Sequence, residues 1–198
     1  MEQNPFAAPT ADIEVRPAAI SQPAWFAVGT RKLFVMSLLT FGLYTIHWFE
    51  RQYRFQKNAR NEPMMPLARG IFSIFFAKDL FQRVAGAAAR VNIGQDWTAG
   101  GMAGLFIVSA VLGRIMDRVS GKLTTGALSA VLALGSTALL LGLAYPLVRV
   151  QGTVNQVLDR TNPNGERNES FTLWNWLLML VGGSLLVLGV IGSFIPGE

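Results

Sequence analysis

Residues 173–195, LWNWLLMLVGGSLLVLGVIGSFI, run for 23 positions without an ionisable side chain. A helix of that length rises about 34 Å, against a bilayer hydrocarbon core of about 30 Å. Two further stretches share the character: residues 98–119, which include GLFIVSAVLG, and residues 125–148, which end at a Tyr-Pro step. Only SGKLTTG separates those two, so they have to be antiparallel neighbours in a hairpin. Thr172 is placed to cap the last helix, and Trp174 and Trp176 stand where an aromatic belt would.

Composition agrees. Asp, Glu, Lys and Arg make up 15% of the 198 residues and apolar residues 51%, whereas a soluble domain carries about 25% charged residues. The missing charge implies surface that never meets water. The balance is basic, at net +5 and a pI near 10.1. Nucleic-acid binders share that sign, but here the basic residues flank apolar runs, as cytoplasmic membrane loops do, and no nucleic-acid partner is expected. The absence of cysteine excludes disulfides, thiolate chemistry and Cys-based metal sites, and the single histidine, His47, excludes a multi-His site. No cofactor or metal is expected.

The remaining segments are less uniform. Residues 1–30, with Pro5, Pro9, Pro17 and Pro23, read as a disordered Pro/Ala-rich tail lacking the basic and apolar regions of a signal peptide. Residues 33–49, LFVMSLLTFGLYTIHWF, are apolar, but 17 residues give roughly 26 Å, just short of a bilayer core. Residues 66–90 set Leu67, Ile71, Ile74, Phe75, Phe81 and Val84 on one broad face and Arg69, Asp79 and Arg83 on the other. That pattern predicts an amphipathic helix in the membrane interface, its basic residues toward anionic lipid headgroups. Reading it as a fifth span would put Lys78, Asp79 and Arg83 in hydrocarbon, at about 2.5–3.5 kcal/mol each. Residues 149–172 are polar, with Asn-Pro and Asn-Gly turn signals.

The expectation is therefore an all-α integral membrane protein with about four transmembrane helices (33–49, 98–119, 125–148 and 173–195) plus an interfacial helix. Of the 17 basic residues, this arrangement places 11 in loops 50–97 and 149–172 and 6 opposite, which makes those loops cytoplasmic. A second arrangement makes 33–49 a re-entrant hairpin broken at Thr40-Phe41-Gly42. Both basic flanks then lie inside, giving 14 against 3.

Thr40, Gly42 and Tyr44, followed by His47, Trp48 and a basic flank, form the one distinctive motif. Gly42 permits close helix approach or a backbone break, and Tyr44 and Trp48 share a face at i and i+4. The motif is read as packing and anchoring, with a ligand or headgroup site as the alternative. Over residues 33–60 it resembles a signature of uncharacterised bacterial multi-spanning inner-membrane proteins, in which Thr-x-Gly-x-Tyr precedes an aromatic-Trp pair and a basic flank. Asn4-Pro5-Phe6 is similar to their openings, and His47 departs from the pattern. The resemblance implies a bacterial inner-membrane location and no particular activity.

Arg114, Asp117 and Arg118 form a second candidate group near the end of the 98–119 segment. Arg114 meets Asp117 at i+3 and Arg118 at i+4. Ionisable residues within spans are functional candidates, although snorkelling near a helix end accounts for them equally well. His47, Asp79, Asp96 and Asp117 never group at a catalytic spacing, so no enzyme is expected. The expected role is a non-enzymatic scaffold or accessory subunit engaging lipid, a membrane partner or a second copy. The alternative is a small transporter or channel, monomeric or oligomeric, with Arg114 and Asp117 lining a polar path.

Overall fold

A computed structural model describes residues 24–120 and 127–194. Most of the expected tail (1–23), the 121–126 connection with Lys122, and residues 195–198 lie outside the described residues. Among the described residues the regular structure is entirely helical: α1 (Thr30–Leu39), α2 (Leu43–Arg60), α3 (Pro66–Ile71), α4 (Ser73–Arg90), α5 (Ala99–Ser120), α6 (Ala127–Thr161) and α7 (Leu173–Phe194).

The span expected over 33–49 is not one helix. α1 closes with paired bonds that end helices: the Gly42 N–H donates to the Ser37 carbonyl at 2.8 Å and the Phe41 N–H to that of Leu38 at 3.1 Å. Phe41 and Gly42 then both take positive φ, 50° and 82°. Two consecutive left-handed residues cannot continue a right-handed helix, so the chain turns back into α2. The flanks meet at one end, because Gln56 Nε2 donates to the Ala24 carbonyl at 2.6 Å and the Phe26 N–H donates to Gln52 Oε1 at 3.1 Å. This is the folded-back arrangement, with its break at Thr40-Phe41-Gly42.

Residues 24–29 are consequently structural rather than tail. Trp25, Phe26 and Val28 are buried, and the extended strap is held by side chains from α2 and α6. Asn155 Nδ2 donates to the Val28 carbonyl at 3.0 Å, and Gln151 Nε2 to that of Phe26 at 3.2 Å.

The single interfacial helix expected over 66–90 is also two helices, cornered at Phe72. Its apolar face is divided: Phe81 and Val84, with Ala77, Leu80 and Ala88 beside them, are buried in the protein core, whereas Leu67, Ile71 and Phe75 stay exposed. Phe81 stacks on Phe49 at 6.2 Å, and Phe49 in turn meets Phe106 of α5 at 5.4 Å. The apolar side chains left exposed are instead Met65, Leu67, Ile71, Phe72 and Phe75, around the corner. On the polar side Asp79 accepts from Arg83 Nε at 3.1 Å, Arg69 at 3.2 Å and the Tyr53 hydroxyl at 2.9 Å.

α5 and α6 form the expected hairpin and share the most extensive helix contact. α6 does not stop at Tyr145-Pro146 but runs on to Thr161 with Pro146 inside. An interior proline costs about 3 kcal/mol. Beyond it Leu147, Val150, Val154, Val157 and Leu158 are all buried, and at about 1.5–3 kcal/mol for each such side chain their burial outweighs the proline.

α7 starts as expected. The Asn175 N–H donates to Thr172 Oγ1 at 3.4 Å, and the Thr172 N–H to Asn175 Oδ1 at 3.0 Å, a reciprocal cap. It meets the bundle mainly through α1. There a methyl group on Gly182 would overlap the Leu39 carbonyl oxygen, so only glycine allows the approach.

Among the described residues two stretches are long and apolar enough to cross a membrane, Ala99–Val119 and Leu134–Thr161, and a shorter apolar stretch covers Leu173–Leu185.

Candidate functional site

Thr40 ties the two arms of the first hairpin together. Its Oγ1 donates to the Met36 carbonyl at 2.7 Å and accepts the Tyr44 N–H at 2.9 Å, satisfying one group on each side of the break. Tyr44 is buried beside His47, with ring centroids 5.3 Å apart. His47 is otherwise exposed but sets its ring edge-on to Phe26 at 6.2 Å.

Trp48 is not an interface anchor. It is fully buried, and its indole N–H donates to Gln151 Oε1 at 2.7 Å. Gln52 Nε2 reaches the same oxygen at 2.8 Å, and Gln151 Nε2 donates to Asn155 Oδ1 at 2.8 Å. The motif around Trp48 thus forms the polar centre of the core.

The upper part of the hairpin does something different. Gly42, Thr45 and Ile46 form one wall of a groove of about 530 Å3. The corner of the second hairpin, Ile71-Phe72-Ser73, forms another, and α5 closes it with Phe106, Val111, Arg114 and Arg118. The Gly42 motif and the Arg114 group, distant in sequence, meet here.

Arg114, Asp117 and Arg118 are all exposed, and none makes an ion pair with a described residue. Arg114 and Arg118 face the groove, whereas Asp117 faces a second cavity of about 170 Å3, with Arg114 between the two. The i+3 neighbours Arg114 and Asp117 share that smaller cavity without pairing. Two polar side chains of the groove, Thr45 and Ser73, are buried, and the Thr45 hydroxyl has no hydrogen-bond partner.

Neither Thr45 nor Ser73 stands out in the sequence, because each reads as an ordinary helix residue until two hairpin corners come together. The Arg69–Asp79–Arg83–Glu62 chain borders the core at Tyr53, whose hydroxyl donates to Asp79. There Arg83 donates to Glu62 at 2.9 Å and holds that carboxyl below the usual glutamate range. Arg149 likewise lowers Asp96 at the start of α5. No group of three metal-ligating side chains occurs among the described residues.

Compared with known protein families, curated proteins and solved structures, the chain matches none.

Proposed function

We propose that this chain is a non-enzymatic, multi-pass protein of a bacterial cytoplasmic membrane, acting as a scaffold or accessory subunit that engages lipid. One observation carries the reading. Of the two stretches long and apolar enough to cross a membrane, the more apolar is the less covered: only 17% of the Ala99–Val119 stretch is buried inside the protein, against 39% of Leu134–Thr161. Val108, Val111, Leu112 and Ile115 all stand exposed along it. The core helix of a soluble protein would be covered there, and contiguous apolar surface of this kind marks a membrane or a partner.

In this reading α5, α6 and α7 cross the bilayer, while the α1/α2 and α3/α4 corners dip into it from one side, with Asp79 and Arg83 of α4 paired to each other and to Arg69 and Glu62. The folded-back first hairpin supports the charge count of 14 basic residues inside against 3 outside. The polar parts of 50–97 and 149–172 are then cytoplasmic, and the N-terminal tail lies with them.

The test uses the absence of native cysteine. Single cysteines at positions 10, 61, 122 and 164 are exposed to a membrane-impermeant reagent on intact cells. Labelling is expected at 122 alone. Labelling at 61 or 164 overturns the orientation, and labelling at 10 overturns the re-entrant hairpin. Release of the chain by alkaline carbonate overturns membrane integration.

A small transporter or channel is the second reading, favoured by the two cavities that meet at Arg114. Solute flux in liposomes that disappears in Arg114→Ala and Asp117→Ala would replace the accessory role with this one.

A further inference from the structure

We infer that the groove between the two hairpin corners and α5 binds one anionic phospholipid, its phosphate held by Arg114 and Arg118 and one acyl chain lying along the groove. The inference rests on the membrane reading of α5 and adds to it a ligand and a site.

The chemistry of the groove is divided along its length. Its basic end consists of two guanidinium groups with no ion pair among the described residues and no carboxylate among the groove's lining residues, since Asp117 faces the other cavity. Arginine is the side chain best shaped for phosphate, offering parallel N–H donors. Apart from Thr45 and Ser73 the rest of the wall is apolar, including Ile46, Ile71, Phe72, Phe106, Val111 and Ile115.

Depth matches as well. Along α5, Arg118 stands 19 residues beyond Ala99, about 28 Å. That is near the far face of a hydrocarbon core about 30 Å thick. Arg114 lies one turn deeper, where an uncompensated charge costs several kcal/mol and a bound phosphate would offset it. From Arg118 back to Phe106 is 12 residues, about 18 Å, comparable to the depth of one leaflet, about 15 Å. A lipid of the far leaflet with its headgroup at the arginines would therefore extend its chain to Phe106. A neutral solute explains neither arginine, and a free phosphate leaves the apolar wall unexplained.

Native mass spectrometry on the full chain, purified in detergent and titrated with phosphatidylglycerol or phosphatidylcholine of identical acyl chains, tests this. The wild type is expected to retain one phosphatidylglycerol at about tenfold lower concentration than phosphatidylcholine. The double variant Arg114→Gln/Arg118→Gln is expected to lose that preference with its circular dichroism unchanged. Val111→Trp, which fills the apolar wall and keeps both arginines, is expected to weaken both lipids. If Val111→Trp misfolds, the arginine variant alone decides.

Equal retention of the two lipids by the wild type overturns the site, as does an unchanged preference in the arginine variant. Displacement by millimolar inorganic phosphate assigns the arginines to a free anion instead. A lipid-free dimer that Val111→Trp dissociates assigns the groove to a second copy. Each of these outcomes leaves carbonate resistance intact, so the lipid site can fail while the membrane reading stands.

Discussion

Gln52 and Phe26 are joined by a two-bond amide pair. The Phe26 N–H donates to Gln52 Oε1 and Gln52 Nε2 donates to the Phe26 carbonyl, both at 3.1 Å. A side-chain amide here takes the place of a neighbouring strand, completing the hydrogen bonds of an extended segment buried among helices. The same pair fixes the topology of the first hairpin, because it holds residue 26, ahead of α1, beside the middle of α2. The strap, the turn at Gly42 and the buried Trp48 are thus parts of one unit built on three glutamines and an asparagine.

Replacing Gln52 with leucine keeps the volume but leaves the buried Phe26 N–H without its acceptor. An unsatisfied buried donor costs about 1–3 kcal/mol. Thermal unfolding in detergent is expected to show a loss in that range, with faster proteolytic cleavage after residue 24. A variant as stable as wild type would mean that the strap is not held by this pair.

Gly42 isolates conformational cost from steric cost. A methyl group there would meet nothing nearer than Leu143 Cδ2, at 3.7 Å. The penalty for Gly42→Ala is therefore that of a left-handed alanine, about 1–2 kcal/mol. Phe41→Gly is expected to change stability in the opposite direction, because Phe41 already occupies that region at φ 50°. If denaturant unfolding ranks Gly42→Ala above the wild type, the turn does not have this geometry.

Much of this architecture was legible in the sequence, and the parts that were not share a cause. α5 and the start of α7 follow from unbroken apolar runs and a Thr cap, which are local signals. The break at Thr40-Phe41-Gly42 was visible only as an alternative, because one glycine does not decide between close packing and a turn. The extension of α6 beyond Pro146 and the burial of residues 24–29 depend on tertiary contacts that supply more free energy than local propensity does. Trp48 fits the same cause: it was read within a packing and anchoring motif, while its indole partner, Gln151, lies 103 residues away. Arg114 was identifiable as an ionisable residue near the end of an apolar segment, but its groove is made by two hairpin corners that no local pattern brings together.

Gly182 and Gly183 are neighbours in sequence and opposites in environment. A Cβ at 182 would overlap the Leu39 carbonyl, whereas one at 183 would meet nothing within 4 Å. Gly182→Ala is expected to separate α7 from α1, lowering stability by about 1–3 kcal/mol as overpacking does. Gly183→Ala should be neutral or slightly stabilising, since alanine is the better helix former. Equal melting temperatures for the two variants would remove the α1–α7 contact from the fold.

The ion pair between Arg83 and Glu62 gives folding a pH dependence of defined sign. Hydrogen bonding to Arg83 keeps the folded Glu62 carboxyl below the glutamate range it has in the unfolded chain. The unfolded state therefore binds the proton more readily, and the stability due to this pair is present at neutral pH and lost as pH falls through the lowered value. Glu62 is 33% exposed, so solvent and salt screen the pair and the effect is small. Melting curves between pH 7 and pH 3 are expected to fall less steeply in Arg83→Gln than in the wild type at low salt, with the difference shrinking at 1 M salt. A wild-type curve parallel to that of Arg83→Gln across this range would show that Glu62 gains nothing from its partner.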